Sequence, residues 1–302
     1  MDIKRESIIG SYYTLSACMD KIPDMGIKDW EALNEEQRQY LDIYKTCRNA
    51  KIPEIESRVS VGQVEPINKF LADRGFRIQL DPIGPMDLAI ASVLEVLLKW
   101  MEKGEKTGVY NSGNFYEAVD LKYGVRVLGV DGFREPVAEV KTKNGDTVYM
   151  AMLSARPTSS FEVFSLAREL LSARSYSDNG YNMQAIFPMI DLDTNPDISW
   201  LIGMADKHKN KWQISQALQQ TIIKMDEKGV LIKEAVALGV RCLSAAMPIT
   251  RTLVINRPFL FVVKREGLDE PFFSAYLDTD SWIPKEEEER VKRSTGSWTY
   301  GM

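Results

Sequence analysis

One histidine, His208, stands in a chain of 302 residues, inside the polar run from Asp206 to Lys211. A Ser-His-Asp triad would have to use it, and its polar surroundings read as an exposed loop rather than a catalytic cleft. Histidine-based metal sites are excluded for the same reason. Asp191-x-Asp193 with Asp197 has the look of a cation loop, but it lacks the glycine and the closing glutamate of a calcium loop. Acidic residues after a strand are usually solvated. The glycine-bearing turns 108–113 and 129–132 have neither the spacing nor the following helix that cradles phosphate. Glu135 and Glu139 show no partner arrangement in the sequence. Cys18, Cys47 and Cys242 are odd in number and have no metal spacing, which favours free thiols in a reducing compartment. No catalytic centre emerges, so the chain reads as a non-enzyme with no cofactor and no metal.

The bulk properties narrow the class further. With 44% hydrophobic and 27% charged residues the composition is that of an ordinary globular domain. A net charge of -5 with both signs interspersed gives no nucleic-acid footprint. No run approaches the roughly 18 to 20 apolar residues of a membrane span. The N-terminal MDIKRESIIGSYY has no apolar stretch long enough for a signal peptide, which favours an intracellular site over secretion. The charged run 285–293 (KEEEERVKR) reads as part of a flexible tail, 285–302, behind a single domain, 1–284.

The elements that would position any site follow from local patterns. Residues 8–19 suit a buried helix or strand–helix pair. Asn34 with Gln37, and Ser159 with Glu162, are capping boxes that start helices at about 35–49 and 160–173. Residues 51–58 are a connector, 59–61 a short strand, and 64–74 a short helix with Pro66 in its first turn. Phe76, Ile78 and Leu80 alternate as a strand. Residues 86–103 carry apolar groups at helical spacing and predict a helix. Residues 116–129 alternate as one long strand, and Asn144-Gly145 between two apolar runs predicts a hairpin. Residues 183–192 are a strand interrupted by Pro188, and 198–204 a short helix. The reading is a mixed α+β domain, helices early and strands late.

The most unusual layout lies near the end. A strand at 217–225 meets an acidic turn, Asp226-Glu227-Lys228-Gly229, then a β-like run, 230–240. A long polar stretch follows, and then Val254-Ile255-Asn256-Arg257-Pro258-Phe259-Leu260-Phe261-Val262-Val263, which Pro258 assigns to an edge or a strand start.

Gln219 to Gly229, followed about thirty residues on by Asn256-Arg257-Pro258-Phe259-Leu260-Phe261 and then by Pro271 to Leu277, resembles the serpin family. The first segment looks like that family's strand leading into the reactive loop, the second like its N-R-P-F strand, the third like its terminal strand. The likeness extends more weakly upstream: residues 116–128 fall where the family has a central strand of its large sheet, and Trp100 to Gly104 where it has a helix lying across that sheet. The chain is short for the family, with a reduced N-terminal helical region. The resemblance implies a serpin-like single domain with a large mixed or antiparallel sheet, smaller sheets, and helices concentrated in the N-terminal half.

It also implies a function. Residues 230–254 would form a loop offered to a serine or cysteine protease, which cleaves it and is trapped as the loop inserts into the sheet. The hinge would be Glu227, Gly229, Val230, Ile232 and Glu234. Counting forward from Gly229 puts the scissile bond at Leu243-Ser244, and counting back from Pro258 puts it at Met247-Pro248. Leu243 or Met247 would suit a chymotrypsin-like or elastase-like protease, and Arg241 or Arg251 a trypsin-like one. Glu234 shares the inward parity of Val230, Ile232, Val236 and Leu238, and burying an unpaired carboxylate costs several kcal/mol. The alternative is therefore a non-inhibitory serpin-like scaffold that binds a protein partner. Either would act as a monomer, and a trimmed member without a leader fits a viral or microbial origin.

Overall fold

The computed structural model describes residues 6–22, 30–177, 182–206, 213–231 and 250–285. In chain order the first part holds β1 (Ile8–Ile9), α1 (Tyr13–Asp20), β2 (Trp30–Glu31), α2 (Glu35–Cys47), β3 (Ile55–Val61) and α3 (Glu65–Ala72). The middle is all strand: β4 (Leu88–Leu94), β5 (Leu97–Lys99), β6 (Glu105–Asn111), β7 (Asn114–Leu121), β8 (Val125–Val130), β9 (Val137–Lys141) and β10 (Thr147–Met152). After α4 (Ser160–Ser172) come β11 (Ser175–Ser177), β12 (Asn182–Pro188), β13 (Ile190–Thr194), β14 (Ala205–Asp206), β15 (Thr221–Asp226) and β16 (Gly229–Leu231). The last described strands are β17 (Thr250–Val254), β18 (Phe259–Lys264) and β19 (Phe273–Leu277).

Local chemistry explains the elements that were expected. The Asn34 side chain accepts from the Gln37 backbone N–H at 2.8 Å while the Gln37 side chain accepts from Leu33 N–H at 2.7 Å, starting α2. Ser159 does the same for α4 through Glu162. The Asn144-Gly145 turn joins β9 and β10, with Gly145 at φ +88°.

The largest sheet has seven strands in the order β1-β19-β18-β10-β9-β8-β11, and every pair in it is antiparallel. Beside its central strand β10 lies the run after Pro258, β18. Phe259, Phe261 and Val263 join the main core, and Leu260 and Val262 face α4 through Val163, Ala167 and Leu170. A strand buried on both faces is apolar without a break. Each such side chain contributes about 1.5–3 kcal/mol relative to leaving it exposed. Smaller sheets have the orders β17-β12-β7-β6 and β13-β15-β16-β5, and β3 pairs with β4 alone.

Five expectations are corrected. Residues 86–103 form no helix: β4 pairs with β3 over seven residues, and its side chains alternate between partly buried and buried. Ala89, Ala91 and Val93 pack under α3, while Ile90 and Leu94 turn to the main core. Burial on both faces produced the apolar spacing that reads as a helical stripe. Trp100 to Gly104 is likewise not helical, and the helix lying on β3 and β4 is α3. Residues 116–129 break at Gly124, φ +73°, into β7 and β8, which belong to two different sheets. Residues 76–80 belong to no strand, and 198–204 is reduced to a 3-10 turn at Ser199–Leu201.

Candidate reactive-loop hinge and strand slot

The turn 226–229 is built by Asp226, whose side chain accepts from the Lys228 N–H at 2.7 Å and the Gly229 N–H at 3.2 Å. This Asx geometry reverses the chain so that β16 returns along β15, with Met225 opposite Val230. On its other edge β16 pairs antiparallel with β5, Gly229 opposite Lys99 and Val230 opposite Leu98. The first residues after the turn are therefore a strand between two strands. Val230 is wholly buried beside Leu98 and Met225, which are buried on the same face.

Three successive carbonyls of the turn are captured by the segment that follows β5. Trp100 Nε1–H donates to Asp226, the Gly104 N–H donates to Glu227 at 2.7 Å, and the Trp100 N–H donates to Lys228 at 3.2 Å. Trp100 is buried and meets Phe187 edge-on at 5.6 Å. Gly104 has no room for a side chain, since a β-carbon there would lie 2.4 Å from Val119 Cγ1. The Glu227 side chain is buried, with Lys103 Nζ at 3.4 Å and Lys106 Nζ at 3.9 Å. Burial pushes its carboxyl up, but its own backbone N–H together with Lys106 and Lys103 more than offsets this and holds it below the ordinary glutamate value.

Beyond Leu231 the two flanking strands part. A cavity of about 240 Å³ has Ser92 to Glu95 on one wall and Leu218 to Ile222 on the other. Ser11, Thr14 and Phe273 form its floor, and Leu71, Phe76 and Ile78 its roof. A second cavity of about 390 Å³ continues along Asp87 to Ile90 and Gln213 to Leu218. Together they form a slot in line with β16. One wall is β4 with Glu95 and the other is residues 213–222, which lead in sequence towards β5 and β15, the two strands that β16 separates. Ser11 Oγ on the floor is buried and has no hydrogen-bond partner among the described residues.

The chain re-enters the described structure on a different sheet. β17 runs parallel to β12, and the Ile255 N–H donates to Ile186 at 2.7 Å. Arg257 pairs with Glu135 at 3.1 Å, and the Asn111 side chain donates to the Asn256 carbonyl at 2.6 Å.

Of the expected site residues, Glu227, Gly229 and Val230 come together at this turn. Ile232, Glu234, Arg241, Leu243, Ser244, Met247 and Pro248 lie outside the described residues, as do His208 and Cys242. Trp100, Gly104, Lys103 and Lys106 were missed. Their sequence signal is slight: a tryptophan at a strand end, then a glycine flanked by lysines, 120 or so positions from the acidic turn they serve.

The other acidic residues are engaged elsewhere. Asp191 pairs with Lys224 at 3.2 Å, Asp193 accepts from Gln220 at 2.7 Å, and Asp197 accepts from the Ser199 N–H at 2.9 Å. Among the described residues no three metal-ligating side chains cluster. Glu139, buried, pairs with Arg126 at 2.9 Å. Cys18 and Cys47 are free, and burial, aided by the nearby Glu270, pushes the Cys47 thiol up to about 12. No described helix is long and apolar enough to cross a membrane.

Comparison with known proteins follows the same lines. The sequence pattern of the family described as serpin (serine protease inhibitor) matches residues 179–276. No curated protein sequence matches the chain. Among solved structures it is similar to Serpin48, a highly specific serpin of the insect Tenebrio molitor. Identity is 12%, 91% of this chain and 92% of that one are covered, and the TM-score is 0.59. Human thyroxine-binding globulin complexed with thyroxine has 12% identity, the same two coverages and a TM-score of 0.56. Tengpin, a thermophilic serpin in its native state, has 14% identity, coverages of 92% and 90%, and a TM-score of 0.53. The fold is α+β, with several sheets and a large antiparallel one at its centre. The chain carries the serpin fold along nine-tenths of its length, and the sequence pattern of the serpin family over residues 179–276.

Proposed function

We propose that this serpin-fold protein offers a loop within residues 230–254, whose ends at 230–231 and 250–254 lie in β16 and β17, to a serine or cysteine protease as a cleavable segment, and holds the protease as that loop enters the slot. The observation that carries the reading is β16, a strand paired on both edges at the head of a slot between β4 and residues 213–222. Adding a strand pairs backbone groups on both walls at once, which is the driving force of strand insertion. Glu227, Gly229 and Val230 act as the hinge, with Ile232 and Glu234 following. The bond cut is Leu243-Ser244 or Met247-Pro248, or one after Arg241 for a trypsin-like enzyme. The protein works as a monomer on a protein partner.

Glu234 favours a second reading. A strand continued in the register of β16 brings Glu234 to the inward side, level with Leu94 and Thr221, where a small or apolar residue is easiest to bury. On that reading the protein is a non-inhibitory scaffold whose loop is cut without trapping. Incubation with a panel of serine and cysteine proteases separates the two. A covalent complex stable to SDS supports the inhibitor. Cleavage within 232–249 with no complex and no gain in thermal stability removes it and leaves the scaffold.

A further inference from the structure

Ser7 fastens the start of the chain to the segment that follows its last strand. Its hydroxyl donates to Asp280 Oδ1 at 2.8 Å, its backbone N–H donates to Asp280 Oδ2 at 3.2 Å, and its Oγ accepts from the Asp278 N–H at 3.1 Å. Asp278 is buried and caps the turn Thr279–Ser281 by accepting from the Thr279 N–H at 2.7 Å. Partial burial pushes the Asp280 carboxyl above its usual value, and the two Ser7 donors are the strongest influences pulling it back. Arg156 stands beside them, its guanidinium donating to the Glu6 carbonyl at 2.9 Å. The hydroxyl thus sits among two carboxylates and a guanidinium.

The strand that this clasp holds has little else to hold it. β1 is two residues long, lies at the edge of the seven-stranded sheet, and pairs there with β19 alone. Just beyond it the Gly10 N–H donates to the Ser274 carbonyl at 2.9 Å. So short an edge strand opens more readily than the strands behind it. The sequence supplies a second, independent observation. Ser7 follows Lys4-Arg5-Glu6 and precedes Ile8. Cations at the third and second positions before a serine, with an apolar residue after it, match the acidic substrate groove of a basic-directed serine kinase.

We propose that Ser7 is a phosphorylation site, and that phosphate there releases the N-terminal arm, residues 1–10, from β19. The kinase takes the arm when β1 frays. The Ser7 oxygen attacks the γ-phosphorus of ATP, the new O–P bond replaces the one to the β-phosphate, ADP leaves, and the hydroxyl proton passes to the kinase's base. The product no longer donates to Asp280. It also sets a charge of about −1.5 to −2 against the Asp280 carboxylate and beside Asp278. One guanidinium does not offset that repulsion, and the few backbone bonds of β1 do not outlast it. Release leaves β19 as the open edge of the sheet.

The test treats the full chain with ATP and the catalytic subunit of cyclic-AMP-dependent kinase, and locates phosphate by mass spectrometry. Amide hydrogen exchange then reads β1 at Gly10 and the clasp at Asp278. Phosphate is expected on Ser7 of the parent and not of an Arg5→Ala variant. In the phosphorylated chain both amides should exchange about tenfold faster or more, and Tm should fall by a few degrees. Ser7→Ala loses the hydroxyl without adding charge and should accelerate exchange less than phosphate does. Phosphorylated Asp280→Asn, relieved of one carboxylate, should exchange at Gly10 more slowly than the phosphorylated parent. Absence of phosphate on Ser7 overturns the proposal, as does phosphate with exchange unchanged or no faster than in Ser7→Ala. Should Asp280→Asn fail to fold, salt at about 1 M, which cuts the reach of charge to about 3 Å, should slow Gly10 exchange in the phosphorylated parent; no slowing overturns the repulsion.

Discussion

The Trp100 indole N–H donates to the Asp226 carbonyl at 3.0 Å, and so one side chain fixes the end of β5 to the turn that launches β16. Replacing it with phenylalanine keeps the ring against Phe187 and deletes the bond, leaving the Asp226 carbonyl without that donor. The expected loss is about 1–3 kcal/mol. Urea titration of the Trp100→Phe variant measures it; a midpoint equal to the parent's would mean that the turn does not depend on this bond.

Gly229 is pressed against β5. A β-carbon there would lie 2.0 Å from the Leu98 carbonyl oxygen and 3.0 Å from Lys99 Cα, both backbone atoms that cannot step aside. Gly229→Ala is expected to force β16 out from between its neighbours. The fold should lose about 1–3 kcal/mol, as overpacked sites do. Limited proteolysis followed by mass spectrometry should find new cuts near residues 229–231, and resistance equal to the parent's would contradict the close packing of β16.

Glu227 gives the hinge a pH dependence of defined sign. Its carboxyl is held below the ordinary value, about 4.3, so it binds fewer protons folded than unfolded. The stability it contributes is fully present above that ordinary value and is lost as the pH falls through the lower folded one. Glu227→Gln should therefore lose part of its stability at pH 7 and show a shallower decline between about pH 5 and 3. Glu227→Lys sets a third cation beside Lys103 and Lys106 at a buried position, and should cost about 3–5 kcal/mol. Thermal melts across pH 3 to 7 check both.

Glu234→Ala separates the two readings of the loop. If an inward carboxylate limits insertion, the alanine variant cut by chymotrypsin should gain more stability in a thermal melt than the cut parent, the difference reflecting the several kcal/mol that burying the carboxylate would cost. Equal gains would mean that the slot receives the carboxyl, for which the buried Ser11 Oγ on its floor is a ready donor.

What the sequence made legible was chemistry confined to a few neighbouring residues. Asn34 with Gln37, Ser159 with Glu162 and the Asn144-Gly145 turn each carry their own hydrogen-bond partners within four positions, and each produced its element where expected. The run after Pro258 was readable because both faces of one strand are buried in two different cores. The same two-faced burial misled at 86–103, where alanine, leucine and valine satisfy a helical period as easily as a strand's. The capture of the hinge turn was not readable at all. Glu227 and Gly104 are joined through backbone atoms, which leave no mark on residue type, and the lysines beside Glu227 could as easily have served solvent. The alternation of Phe76, Ile78 and Leu80 was real, but the partner that replaces a strand is a set of amides scattered from 68 to 220.

The pairing of β1 with β19 bears on how the chain is made as well as on how it is held. Ile8 lies opposite Tyr276, and the Ser274 hydroxyl donates to the Gly10 carbonyl across 264 positions. At ordinary rates of synthesis the ribosome needs roughly ten to fifty seconds to cover that distance. For all that time the N-terminal strand has emerged with no edge to join, and its partner β19, buried along its whole length, has not yet appeared. The early part of the chain must therefore wait in an unfinished state, exposed to whatever else will pair with it, until its last strands arrive.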